Sequence, residues 1–280
     1  MKHKLMLLMS LLLVIGLMGA CSSTEGSKIA DIYSKSTAAS KDLNSFSMKA
    51  DSVQWVRMGD MESKKTANGK EIPGGIPMQT TIDADIQIDP AAFHQHVTSM
   101  GQTTEQYYTK DGFYMSSPGS EKWMKAPKEY LDQLNQLAAA QKTPAQQLEK
   151  LQDYVDEFDL DQKDGQYILS FHSEGENVKD LLKDTMKETF PEGKLPEDLL
   201  DKVTIKNVDY TFKIDKESYY PTAIDMEMNF TIDDQGKKTH IKQTLNGVYS
   251  DYNQIGEISV PAKIQKSAKE LSDMQSLLDQ

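Results

Sequence analysis

Few residues in this chain are equipped for chemistry. Its 280 residues include one cysteine, Cys21, and five histidines. A lone sulfur cannot form a disulfide or a cysteine-built zinc or iron–sulfur site, since these need several sulfurs at short spacing. His94-Gln-His96 sets two imidazoles on one face of a strand, a spacing that can chelate a metal ion. A third ligand has to come from His172, His240 or a carboxylate that sequence order does not place. A histidine pair alone is unspecific, so no metal is expected and His94 and His96 stand as weak candidates. Asp83, Asp85 and Asp89 make an acidic strand face without the glycine and loop spacing of an EF-hand, and they read as solvated. The chain has no Gly-rich phosphate loop, no Gly-x-Ser-x-Gly elbow and no His-Glu-x-x-His helix. Among its 43 acidic residues nothing nominates a catalytic pair. A non-enzymatic protein without a cofactor is the expectation.

The position of Cys21 is more informative than its number. Met1-Lys-His-Lys4 is a short cationic head, and Leu5 to Met18 is an apolar run interrupted by Ser10 alone. Such a run is too short to cross a bilayer core, which takes about 20 helical residues, and suits a secretory signal. Leu17-Met18-Gly19-Ala20-Cys21 resembles the lipobox of bacterial lipoproteins, with Met18 where Leu is usual and Gly19 where Ala or Ser is usual. The resemblance implies cleavage between Ala20 and Cys21 and a diacylglyceryl group on the Cys21 sulfur. Two acyl chains anchor stably where one binds marginally. The expected location is the outer face of the bacterial cell membrane. Residues 21–27 are small and polar and read as a tether, six extended residues reaching at most about 20 Å.

Composition bounds the remainder. With 38% apolar, 8% aromatic and 26% charged residues the chain is ordinarily globular. Its net charge is −12, and loss of Lys2 and Lys4 with the signal makes it −14. That excess repels nucleic acid and anionic headgroups, so attachment to a membrane has to come from lipid. Oligomeric state is not encoded in any recognisable way.

These residues need elements to position them. Ile29, Ile32, Tyr33, Ser36 and Leu43 share a helical stripe behind a Ser27 cap, which predicts a helix over 28–43. The period then becomes two. Phe46, Met48 and Ala50 alternate with polar residues, and Val53, Trp55 and Met58 extend the run through an expected bulge. Met78, Thr80, Ile82, Ala84, Ile86 and Ile88 face one way, with polar partners facing the other, as in a half-buried antiparallel strand. Residues 93–100 form a further strand, and 105–110 pairs with 113–117 across Asp111-Gly112. Helices are expected over 127–158 and from Val178 to Met186, with a short strand at 167–171 between them. Strands follow over 203–214, 222–232 and 239–249, and a final helical stretch follows Pro261. One-sided strands require one wet face and a covered dry one.

Tyr107-Tyr-Thr-Lys-Asp-Gly-Phe-Tyr-Met115, Lys122-Trp-Met-Lys125, Leu43-Asn-Ser-Phe-Ser-Met48 and Ile258-Ser-Val-Pro261 resemble strings of an uncharacterised Gram-positive lipoprotein family. That family is similar in turn to the LolA/LppX-like superfamily of half-barrel lipid carriers. The resemblance implies an α+β fold, a single strongly curved antiparallel β-sheet whose concave face is covered by helices. The expected organisation is a signal at 1–20, a lipidated tether at 21–27, a half-barrel domain at 28–265 and a polar tail at 266–280. The expected cavity lining is Phe46, Met48, Met78, Ile82, Ile86, Met226, Met228 and Phe230, since flexible, polarizable thioethers suit varied apolar ligands. The same residues also suit a solid core. The two functional readings are a lipid- or acyl-chain-binding lipoprotein and an envelope scaffold that docks a protein.

Overall fold

The alternating stretches become strands of one sheet. The computed structural model describes residues 21–59, 64–65, 71–72, 75–128, 131, 144, 152–178 and 202–270. The signal at 1–20, residues 60–63, 66–70 and 73–74, most of the helices expected over 127–158 and 178–186, and residues 271–280 lie outside these.

Helix α1 spans Cys21–Ser40. It begins inside the segment read as a tether and stops short of Leu43. No proline interrupts residues 21–40, and a helix pinned by a buried stripe extends at little cost. Strand β1 (Ser45–Met58) follows, then a two-stranded ribbon of β2 (Lys64–Lys65) and β3 (Glu71–Ile72). Next come β4 (Ile76–Gln87), β5 (Ala92–Ser99), β6 (Gln102–Thr109), β7 (Gly112–Ser116) and β8 (Trp123–Lys125). The second half holds β9 (Phe158–Lys163), β10 (Gln166–Glu174), β11 (Val203–Asp215), β12 (Pro221–Asp234) and β13 (Lys237–Ser250). Helix α2 (Ala262–Ser267) and β14 (Lys269–Glu270) close the chain.

Twelve strands form one sheet in the order β14-β8-β7-β6-β5-β4-β1-β13-β12-β11-β10-β9. It consists of two antiparallel meanders that meet on β1, which pairs with β4 on one side and β13 on the other. The sheet is open, with β14 and β9 as its edges. A twisted open sheet of this width has to curl, and the curve gives it an inner and an outer face.

Three local expectations need correction. Strand β1 keeps an unbroken register with both neighbours, so it carries no bulge. An extra residue would break ladders on two sides at once. Val53 and Trp55 therefore face away from Phe46, Met48 and Ala50, and Ser52 and Gln54 take the apolar-side positions. A register shift falls instead in β11, between Ile205 and Asn207. Residues 158–163, read as helix end and turn, form β9, with Phe158 and Leu160 facing inward between Asp159 and Asp161. The chain also stays in the sheet past 265, because β14 pairs in parallel with β8.

The core lies on one face and toward one end. Ile29, Ile32 and Tyr33 of α1 join Phe46, Leu169, Phe171, Phe212, Ile224 and Tyr249 in one buried cluster. Each such side chain contributes about 1.5–3 kcal/mol on burial. Short 3-10 turns at Gln152–Glu157 and Gly175–Val178 pack in this cluster beside α1, through Tyr154, Val155 and the fully buried Val178. A smaller group of Tyr114, Val260 and Ile264 holds α2 near β7.

Candidate functional site

Pairing registers decide which side chains share a face, because partners in a ladder point the same way and neighbours along a strand point oppositely. On β1 and β4, Phe46 pairs with Ile86, Met48 with Ala84, Ala50 with Ile82 and Gln54 with Met78. On β12 and β13, Met226 pairs with Leu245, Met228 with Gln243 and Phe230 with Ile241. Leu245, Gln243 and Ile241 pair in turn with Ser52, Gln54 and Val56. All eight expected lining residues therefore lie on one face, on β4, β1 and β12, with β13 between the last two.

Their depth differs. Phe46 is 4% exposed and packs edge-on against Tyr249, with ring centroids 6.1 Å apart. Met48, Ile86, Met228 and Phe230 are half-buried against the same cluster. Ile82 and Met226 are half-buried as well. Met78 is exposed, with Met58, Ile76 and Met100, where β1, β4 and β5 reach the far end of the sheet. Alternation along a strand specifies a face and not a depth. Two pockets, of about 440 Å³ beside Ala30, Thr37 and Val155 and about 340 Å³ beside Pro90, Tyr114 and Glu257, involve none of the eight.

Sequence patterning overlooked Leu245 and Ile241, which bridge Met226 and Phe230 to β1. The alternation of β13 is broken at Gln243, which hides the stripe. Patterning also missed a polar pair within that face, where the Gln95 side-chain amide donates to Gln106 Oε1 at 2.8 Å beside the stacked rings of Phe93 and Tyr108. Near the core, burial pushes the Tyr249 and Tyr252 hydroxyls up, with Tyr249 and Tyr220 adding to the effect on Tyr252. Both stay neutral at physiological pH, and the Tyr252 hydroxyl donates to the Pro221 carbonyl. This face can bury apolar matter.

The outer face holds the polar partners. His94 and His96 of β5 sit there across from Asp85 and Asp83 of β4. The third group beside them is Glu105 of β6, and the donor atoms of all three lie within 4.8 Å of one another. Neither His172 nor His240 is in that group. His172 pairs with Asp209, whose hydrogen bond and charge raise its pKa, and His240 faces Thr231. Glu105 was legible in principle. Met100 and Gly101, both at positive φ, form a two-residue hairpin turn that aligns Ser99 with Gln102 and hence His96 with Glu105. Asp83 is engaged by Lys49 at 3.1 Å, and Asp85 accepts from the Ser47 hydroxyl at 2.6 Å.

Fold and site together define a protein built on one open, curved, antiparallel-rich sheet, with an apolar face that carries the main core and a second face that is largely polar but is covered by α2 around Tyr114. The chain belongs to a family of unknown function, DUF6612, whose model matches residues 28–269. None of the curated proteins matches it. Among solved structures it is similar to LprF from Mycobacterium bovis, at 14% identity over 84% of this chain and 98% of that one, with a TM-score of 0.41. A DUF1329 family protein from Desulfovibrio piger is similar at 10% identity over 82% and 95%, with a TM-score of 0.25. Neither superposes closely, and the fold is defined by this chain's own strand order and register. No helix among the described residues is long and apolar enough to cross a membrane.

Proposed function

We propose that the protein is an exported lipoprotein, cut before Cys21 and anchored through a diacylglyceryl group on it, that binds or shields a lipid or acyl chain without catalysing a reaction. The observation that carries the reading is the single-face placement of Met48, Ile82, Ile86, Met226, Met228 and Phe230, all short of full burial, on β1, β4 and β12, with β13 bridging between them. An acyl chain laid along these side chains gains about 0.8 kcal/mol per buried methylene and needs no specific polar contact. The likeness to LolA/LppX-like half-barrels belongs to this proposal and supports it through shared sheet character. A second reading is favoured by the burial of Phe46 against Tyr249 and Tyr252. In it the face is a solid core and the protein is an envelope scaffold.

Mass spectrometry of lipid extracted from protein purified from a lipid-producing host separates the two. Carriage predicts a copurifying or exchangeable lipid that Met226→Asp with Met228→Asp removes. Absence of any such lipid, with reproducible crosslinking to a protein in intact cells, would establish the scaffold instead.

A further inference from the structure

We propose that the outer face carries a binding site for a divalent transition-metal ion, zinc in the first instance, built by His94, His96 and Glu105. The site is separate from the apolar face and stands whether or not that face binds lipid.

The backbone does the positioning. His94 and His96 are two residues apart on β5 and so project from the same side, and β6 sets Glu105 directly across from His96. His94 Nε2 lies 2.9 Å from Glu105 Oε1. Tetrahedral zinc with bonds of about 2.0–2.1 Å holds its donors about 3.4 Å apart. A group already within 4.8 Å closes on an ion by small side-chain torsions, with no movement of the strands.

The surroundings hold the donors in place. The His94 ring stacks on Tyr107 with centroids 4.2 Å apart and planes 12° from parallel, and His96 meets it edge-on at 5.1 Å. The Tyr107 hydroxyl reaches Glu105, and burial followed by that carboxylate pushes its pKa up to about 12. The backbone of Glu105 is tied to β7 by donation of its N–H to Ser116 Oγ at 2.7 Å. A stacked ring partner and a hydrogen-bonded carboxylate are the kind of support that orients metal ligands.

Charge and ligand type select the ion. Asp85 and Asp83 stand across from the two histidines on β4 and add negative charge to the neighbourhood. Lys49 is held there by Asp83. Calcium and magnesium require six or more oxygen ligands, whereas two imidazole nitrogens with one carboxylate suit zinc and its first-row neighbours. His96 is exposed, and the side chains of His94 and Glu105 are 28% and 33% exposed. An ion can thus enter from solvent and keep coordination positions open to water or to a ligand from a partner.

The test uses the full chain, solubilised in detergent, stripped with a chelator and titrated with zinc chloride by calorimetry. The expected result is one ion per chain, with affinity falling roughly tenfold or more in His94→Ala/His96→Ala and in Glu105→Gln. His172→Ala is the control and should bind as the unaltered chain does. Because Glu105→Gln keeps the shape of the side chain, it guards against a misfolded double variant, and zinc should raise the melting temperature of the unaltered chain and of His172→Ala but not of the double variant. Failure to bind one ion per chain, or equal binding by the double variant, overturns the site.

Discussion

Replacement of Phe46 by Ala distinguishes a packed core from an open chamber. The ring is 4% exposed, with Tyr249 edge-on at 6.1 Å and Tyr252 at 6.2 Å, and it belongs to the cluster that receives Ile29 and Ile32 from α1. Truncation removes the transfer free energy of the ring and leaves a void that these neighbours can only partly fill. For a buried Phe→Ala change the combined cost is about 3–5 kcal/mol, within which each aromatic contact accounts for about 0.5–1.5 kcal/mol. Against a domain stability of about 5–15 kcal/mol this is a large fraction. Met226 is half-buried on the same face, and Met226→Ala should cost about 1–2 kcal/mol, since less area returns to water. Urea unfolding of both variants, followed by the fluorescence of Trp55 and Trp123, measures the difference as a shift in midpoint at constant slope. A Phe46→Ala loss no greater than that of Met226→Ala would show that the ring lines an open space, and would refute its placement in the core.

Three further expectations follow from particular contacts. At Gly247 a Cβ would lie 2.9 Å from Ile224 Cγ2, so Gly247→Ala should cost about 1–3 kcal/mol; Ile224→Ala in the same chain should relieve it, and a double-mutant cycle with less than about 0.5 kcal/mol of coupling rejects the clash. The pKa of His172 is raised chiefly by its hydrogen bond to Asp209, so this pair stabilises the fold below the ordinary imidazole value and ceases to do so as pH rises through the folded one. In an NMR titration Asp209→Asn should lower the His172 midpoint, and an unmoved midpoint would discard that cause. Cys21→Ser should shift the protein from the membrane fraction to the soluble one and abolish labelling by a fatty-acid probe, with retention at the membrane counting against a lipid anchor.

What could be read from the sequence was local. Alternation along residues 78–88 assigned side chains to faces, because Cβ atoms reverse direction at each step of a strand. Asp111-Gly112 set the β6–β7 turn for an equally local reason. The eight expected lining residues accordingly share a face, and the stripe of Ile29, Ile32 and Tyr33 is the buried side of α1. Depth and partnership had no local code. Phe46 lies in the core and Met78 at an exposed end because of what packs above each, and that is decided by strands and a helix distant in the chain. The unbroken register of β1 follows from pairing on two sides at once, with β4 nearby in sequence and β13 nearly two hundred residues away. Glu105 joins His94 and His96 through a hairpin register, while His172 and His240, equally plausible by residue type, are carried to other strands. Residue chemistry could nominate the histidines and the apolar stripe, and only the three-dimensional pairing of strands could say which of them meet.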